Sequence, residues 1–438
     1  MIKNVVIVGG GAAGWIVANA IKYYETNSFG DYTVNITLVE SLGNEPLGIG
    51  EGTTGSVVRV LKLFGLDLAS VNGTLKYGIN YAGWCSSAPY DNHYNPFYAY
   101  EDSQEIFDLF GGSFESVFDP AKLNHQDVSK TGWHLEVSEL IALLKARSIT
   151  AGCQHIVGEV TDCLLDSAGN IESVVLADGT NLQADLYVDC SGFSQVLVSK
   201  LGSTFTDHSS GLLCDSAIMT NLPTANTESF YWTKATALDA GWVWNIPLKD
   251  KTSTGYVYSS QFVSDIQAKA EFNQHLGTDQ DFSVVRWSDR LLDESFKKNC
   301  VAIGLSSCFV EPLEATSLEV ICDLAFRVGD MLYYNKVQER KSDFNSRYRF
   351  SKDLFSSYIF FRYLLATKND TDFWAHVTSL VVPPRIQTFL EEAQPGLFNI
   401  SGNEISVTKP TNWNLSLESG SNVLYWLYLC AGVGKDIA

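Results

Sequence analysis

A short β-branched run, Ile2 to Val8, stops at three consecutive glycines, and an apolar-periodic stretch from Ala12 to Tyr24 follows. That order reads as strand, tight turn and helix. Gly9-Gly10-Gly11-Ala12-Ala13-Gly14 fits the pattern G-x-G-x-x-G. In such a turn the first glycine permits the sharp reversal, the second lets a pyrophosphate reach the backbone, and the third lets helix and strand pack closely. A second strand, Val34 to Val39, ends on Glu40, where a carboxylate can accept hydrogen bonds from a ribose diol. The opening of the chain therefore predicts a βαβ unit of the dinucleotide-binding type. A glycine-rich turn with no ligand is the plain alternative, and the acid at the next strand end argues against it.

Two further strand ends extend the pattern. Ala184 to Asp189 is followed by Cys190-Ser191-Gly192, and a late buried strand, Val301-Ala302-Ile303, ends on Gly304. Three such sites along one chain suit the long FAD molecule better than NAD alone. Between them, Ile156 to Asp189 reads as a β-meander with turns at Asp166 to Asn170 and Ala177 to Gly179, returning to the parallel sheet. From 201 to 295 the chain is rich in strand-like aromatic runs (Phe230-Tyr231-Trp232, Trp242-Val243-Trp244, Tyr256-Val257-Tyr258), which predicts a second, antiparallel sheet. Leu318, Ile321, Leu324 and Val328 mark one face of a helix. The last hundred or so residues lean helical, punctuated at Pro383-Pro384 and Pro395-Gly396. The expected fold class is α/β: a parallel-sheet FAD-binding module, a second antiparallel-sheet module and a C-terminal helical region.

Composition narrows the partners. With 50 acidic against 30 basic side chains and a formal charge of −20 over 438 residues, the chain repels phosphate backbones and anionic membrane surfaces, so neither nucleic acid nor membrane is expected. An anionic cofactor can still bind where backbone amides at a helix N-terminus supply positive potential. The nine cysteines show no C-x-x-C spacing and no metal site is expected; they read as reduced core thiols. The chain opens on strand-like residues rather than a secretory pattern, and Arg362 cuts the aromatic stretch Tyr358 to Leu365, the nearest approach to a membrane span. A cytoplasmic location is expected.

Five elements in order, Gly9 to Trp15 (GGGAAGW), Gly50-Glu51-Gly52-Thr53, Trp242-Val243-Trp244-Asn245-Ile246-Pro247, Tyr258-Ser259-Ser260 and Glu311-Pro312-Leu313-Glu314-Ala315-Thr316, together resemble the flavin-dependent tryptophan halogenase family. The resemblance extends over about 1 to 330. It implies a two-component system in which a separate flavin reductase delivers reduced FAD, oxygen and halide react at the flavin, and hypohalous acid passes into an internal tunnel toward a small aromatic substrate. The pattern along the chain divides it into interleaved modules: an FAD-binding module (1–200), an antiparallel-sheet substrate module (201–295), a return to the FAD module with the active-site helix (296–335) and a helical substrate-covering region (336–438). A homo-oligomer is the common state of related enzymes.

By motif, Lys76 matches the family's catalytic lysine and Glu314 its catalytic glutamate. FAD contacts are expected at Gly9, Gly11, Ala12, Ala13, Gly14, Glu40, Gly50, Glu51, Val160, Gly304 and Leu313. Halide is expected at the backbone amides of Thr316 and Ser317, at a helix N-terminus. The resemblance also implies that Trp242 and Trp244, its family markers, lie near the flavin and obstruct ordinary hydroxylation. Read without the family, Lys76 lies on a strand whose alternation puts Leu75, Tyr77, Ile79 and Tyr81 on one face and the lysine on the other, as a solvated surface charge would. Glu314 after Pro312 reads equally as a helix start, and the two tryptophans read as core.

The chain departs from the family at Gly52 (usually Ala, with a proline following), at Ala315 (usually Ser) and at Ser317 (usually Gly). Its C-terminal part is shorter than in tryptophan-specific members, so an indole, phenol or pyrrole fits as well as free tryptophan. Two other readings stand beside the halogenase. A single-component flavin monooxygenase would react directly with NADPH, against which the tryptophan pair and Lys76 argue. A catalytically silent flavin-binding protein would lose no chemistry on replacement of Lys76.

Overall fold

A computed structural model describes residues 2–28, 32–43, 48–85, 92–96, 131–207, 211–223, 231–364, 366–384, 386–388, 398–401 and 404–407. Phe230, Pro395, Gly396 and Cys430 lie outside these residues. The Asn4–Val8 strand is buried along all but its first residue because it sits inside a parallel sheet with neighbours on both edges. One neighbour is Asn35–Glu40, which in turn pairs with Gln154–Val157; the other is Leu186–Asp189, which pairs with Cys300–Ala302. Phe296–Lys297 closes the far edge in antiparallel sense. The three glycine-bearing strand ends foreseen from the sequence therefore emerge side by side at the carboxyl edge of one sheet, where open α/β sheets bind ligands. Val160–Leu165, Ile171–Leu176 and Asn181–Leu182 form the separate antiparallel meander.

The Ala12–Thr26 helix packs on the Ser317–Tyr333 helix, whose Leu318, Ile321, Leu324 and Val328 are all buried. Gly329 permits that approach, since a Cβ there would sit 2.6 Å from the Tyr24 ring.

The second sheet has seven strands; the antiparallel unit expected from 201 to 295 supplies five of them, and the strand order corrects only its extent. Ser216–Pro223, Lys251–Tyr258, Gly241–Pro247 and Trp232–Leu238 pair antiparallel in that spatial order, with Val285–Arg286 beyond the first. Trp232–Leu238 then pairs in parallel with Gly78–Ala82, which is joined by Asn92–Pro96. Two strands thus come from the N-terminal part of the chain. A second correction follows at Tyr77. Thr74–Lys76 belongs to a small sheet with Gly50–Gly52 and Gly132–Glu136, whereas Gly78–Ala82 belongs to the seven-stranded sheet. The run is two strands in two sheets, so Lys76, Tyr77, Ile79, Asn80 and Tyr81 are all buried and simple alternation fails.

The Lys341–Leu364 and Asp372–Val377 helices cover one face of the large sheet through an aromatic core that includes Tyr81, Trp84, Trp242, Tyr358, Tyr363 and Trp374. The helical expectation for the C-terminal region holds this far, and the chain is helical again from Pro384. Beyond it, Phe398–Ser401 and Glu404–Val407 form an antiparallel hairpin, not a helix. The alternating residues of Asn399-Ile400-Ser401 and Glu404-Ile405-Ser406-Val407 carry a period of two that the proline count concealed.

Candidate active site

The glycine turn works as its spacing demands. Gly9 has φ +118°, and a Cβ there would lie 2.2 Å from the Cys190 carbonyl oxygen. A Cβ at Gly14 would lie 2.0 Å from the Gly9 carbonyl oxygen, so this residue lets the helix press on the turn and does not itself line the site. Gly11, at the N-cap of the Ala12–Thr26 helix, has open space where its side chain would be. That space belongs to a cavity of about 1260 Å³, larger than the ~300–1,000 Å³ typical of a single small-ligand pocket.

Gly9, Gly11, Ala12, Ala13, Glu40, Gly50, Glu51, Val160, Gly304 and Leu313 all line this cavity, as do Cys190 to Ser194 at the neighbouring strand end. Lys145 Nζ and His155 Nε2 each bond Glu40 Oε2 at 2.8 Å. The carboxylate is thereby oriented while Oε1 is left out of both contacts. Asp189 has a different task. Its two oxygens accept from the Ser191 amide and hydroxyl and from the Leu197 and Val198 amides, which pins the loop. An open cradle at a helix N-terminus, an oriented acid at the next strand end and a long cavity fit a dinucleotide.

The same cavity is also lined by Lys76, Gly52, Thr233, Ala315, Thr316, Ser317, Trp242 and Trp244. Lys76 is 0% exposed, so the reading of a solvated surface lysine is overturned. Burial pulls its ammonium down to about 8, against the opposing charges of Glu314 and Glu51. Burial likewise pushes the Glu51 carboxyl up to about 7, with Lys76 restraining it. His134, buried beside them, bonds Thr74 Oγ1 and Thr233 Oγ1, and burial followed by the Lys76 charge drives its ring well below the usual histidine range. It is a neutral wall. A Cβ at Gly52 would meet Lys76 Nζ at 2.6 Å and Ala315 Cβ at 3.3 Å. Two of the three departures from the family pattern therefore face each other at the lysine.

Glu314 closes a short 3-10 turn, Pro312–Glu314, and Ala315 then takes a left-handed conformation at φ +56°. The long helix starts only at Ser317, with Thr316 at its N-cap. Glu314 is consequently not a helix cap, and the helix-start reading is corrected. Its Oε1 accepts hydrogen bonds from Tyr81 and, at 2.8 Å, from Tyr358, and Arg362 Nε lies 3.4 Å away. None of these three partners was foreseen as functional, although Arg362 stood out as a lone charge in an aromatic stretch. Glu311, also missed, accepts from Trp242 Nε1 at 2.5 Å and from the Tyr363 hydroxyl, and burial pushes it up to about 7. That contact joins the tryptophan element to the Glu311–Thr316 element. The rings of Trp242 and Trp244 stand 6.3 Å apart.

No helix among the described residues is long and apolar enough to cross a membrane. No group of His, Cys, Asp or Glu among them is arranged to hold a metal ion.

The tryptophan halogenase family profile matches residues 4–419. The tryptophan 6-halogenase SttH of Streptomyces toxytricini is 30% identical over 89% of this chain and 83% of its own length. The tryptophan 7-halogenase RebH of Lentzea aerocolonigenes is 32% identical over 72% of this chain and 67% of its own. Among solved structures, BrvH, a flavin-dependent halogenase from Brevundimonas sp. BAL3, superposes with a TM-score of 0.78 at 26% identity, covering 100% of this chain and 91% of that one. With the dinucleotide cradle and the buried lysine in one cavity, these similarities place the chain in the tryptophan halogenase family as a flavin-dependent halogenase, an oxidoreductase that uses FAD.

Proposed function

We propose that this protein halogenates an electron-rich aromatic substrate, indole-like or phenolic, using oxygen, a halide and reduced FAD from a separate flavin reductase. The observation that carries the reading is one cavity with a dinucleotide cradle at Gly9, Gly11 and Glu40 and the fully buried Lys76 in its wall. FAD bound there in its reduced form supplies the electrons with which oxygen and halide give hypohalous acid. The backbone amides of Thr316 and Ser317, at the start of a 17-residue helix, hold the halide.

Lys76 Nζ holds the electrophilic halogen, by hydrogen bond to hypohalous acid or as a haloamine. Its lowered ammonium value makes both forms accessible near neutral pH. The ring carbon attacks the halogen, the halogen–oxygen or halogen–nitrogen bond breaks, and Glu314 accepts the ring proton. Trp242 and Trp244 line the same cavity, where their bulk obstructs ordinary hydroxylation.

The modular division into 1–200, 201–295, 296–335 and 336–438 belongs to this reading, with Gly78–Ala82 and Asn92–Pro96 of the first segment added to the second sheet and the last region covering the arene. A cytoplasmic location belongs to it as well.

The test is mass spectrometry of reactions with FAD, an NADH-driven flavin reductase, catalase, chloride, bromide or iodide, and a panel of indoles and phenols. A halogenated product that vanishes in Lys76→Ala, while oxygen consumption persists, is expected. A hydroxylated product, or NADPH oxidation without the reductase, would assign the chain to the monooxygenases instead.

A further inference from the structure

Glu314 is held unevenly. Tyr81, Tyr358 and Arg362 all converge on Oε1, and Oε2 takes part in none of these contacts. The holding groups come from two separate elements, the Gly78–Ala82 strand and, one turn apart, the Lys341–Leu364 helix. They also hold one another. Arg362 Nη2 donates to the Tyr358 oxygen at 2.6 Å, and the guanidinium lies 4.6 Å from the Tyr81 ring centre and 5.1 Å from that of Tyr358. The Tyr358 hydroxyl hydrogen is thereby directed at Glu314. Arg362 is 7% exposed and Glu314 5%, and a guanidinium withdrawn from water this far persists only where charge and hydrogen bonds answer it.

We propose that Arg362, acting with Tyr358 and Tyr81, is a positioning residue that ties Glu314 Oε1 and so reserves Oε2 as the acceptor of the ring proton. The inference rests on the reading of Glu314 as that acceptor. A carboxylate with neither oxygen tied rotates and presents its lone pairs in no fixed direction; one with both oxygens tied is a poor base. In the step served, the C–H bond at the halogenated ring carbon breaks and its electron pair returns to the ring. The proton forms an O–H bond at Oε2 and afterwards passes to water.

The test compares Arg362→Met, Arg362→Lys, Tyr358→Phe and Glu314→Gln in the full chain with FAD, the reductase system and bromide. The acceptor is whichever of indole, tryptophan or phenol the unaltered protein brominates, used in ring-protonated and ring-perdeuterated forms. FAD affinity and oxygen consumption report that each variant is folded. In the unaltered protein, proton loss is expected to follow the slow step, so the two isotopic forms should react alike.

Arg362→Met is expected to lower brominated product about ten- to a hundred-fold and to reveal a primary deuterium isotope effect. Arg362→Lys should restore much of the rate and suppress that effect. A merely structural arginine would slow the reaction without making it isotope-sensitive. If Glu314→Gln is isotope-sensitive and Arg362→Met and Tyr358→Phe are not, the positioning role is overturned and Glu314 stands. If Glu314→Gln is neither slowed nor isotope-sensitive, the reading of Glu314 falls and the inference with it. Should Arg362→Met fail to fold, Arg362→Lys and Tyr358→Phe decide the matter by the same isotope comparison.

Discussion

Replacing Lys76 by methionine is expected to stabilise the cofactor-free protein at neutral pH while abolishing halogenation. Lys76 is fully buried, and burial lowers its ammonium from 10.5 to about 8 although Glu314 and Glu51 pull the other way. At about 1.4 kcal/mol per pH unit of displacement, keeping this lysine charged at neutral pH costs roughly 3 kcal/mol of folding stability. The folded-state value lies below the unfolded one, so the unfolded chain binds the proton more tightly between about 8 and 10.5. The cost is therefore in full force below about pH 8 and disappears as the pH rises toward 10.5. Methionine keeps the length of the stem and has no charge to desolvate. Glu51, which Lys76 restrains at about 7, becomes neutral in the variant and returns part of the gain. The net expectation is about 1–3 kcal/mol in favour of Lys76→Met at neutral pH. Urea unfolding of both proteins without FAD, at about pH 7 and about pH 10, measures it, and the difference should shrink at the higher pH. A variant no more stable than the parent at pH 7, or a gain that does not depend on pH, would refute the claim that this lysine is held charged against its own desolvation.

Four other substitutions probe the cradle and the turn before the active-site helix. Gly14→Ala should lower the unfolding temperature sharply, because its Cβ would lie 2.0 Å from the Gly9 carbonyl oxygen; Gly11→Val, where the same space is open, should leave that temperature nearly unchanged and weaken FAD binding in a fluorescence titration. Ala315→Gly should raise stability by about 1 kcal/mol by relieving a left-handed backbone at φ +56°, measured by thermal unfolding without cofactor. Glu311→Gln should gain stability relative to the parent as pH rises. Burial raises the folded-state carboxyl to about 7 from 4.5, so in the parent the stability from this group is present below 4.5 and lost as pH climbs through 7. Unfolding at about pH 5 and pH 8 checks it, and an equal difference at both removes the titration of Glu311 from the account.

The sequence by itself determined the cofactor end of this protein. A glycine turn between a strand and a helix is largely a local device: its dihedral freedom belongs to residues within a few positions, and its distant close contacts are the Cys190 carbonyl that Gly9 meets and the Glu40 side chain that Gly10 meets. The acid closing the next strand follows from the same short stretch. Spacing alone therefore picked out the glycine cradle and the strand-end acid that line the cavity, and the W-x-W-x-I-P and Glu311–Thr316 elements pointed to the chemistry. Periodicity also gave the buried face of the Ser317–Tyr333 helix, because a long helix repeats its pattern many times.

Tertiary structure alone decided the character of Lys76 and the surroundings of Glu314. Alternation describes one strand in one sheet, and the chain leaves one sheet for another at Tyr77, so burial at Lys76 and Asn80 depends on what the second sheet and Gly52 bring against them. Tyr81 and Arg362 stand far apart in sequence and meet only because the Lys341–Leu364 helix packs on the sheet that contains Gly78–Ala82. A lone arginine among aromatics announces a buried charge; which carboxylate answers it is fixed by long-range packing, and no local pattern encodes that choice.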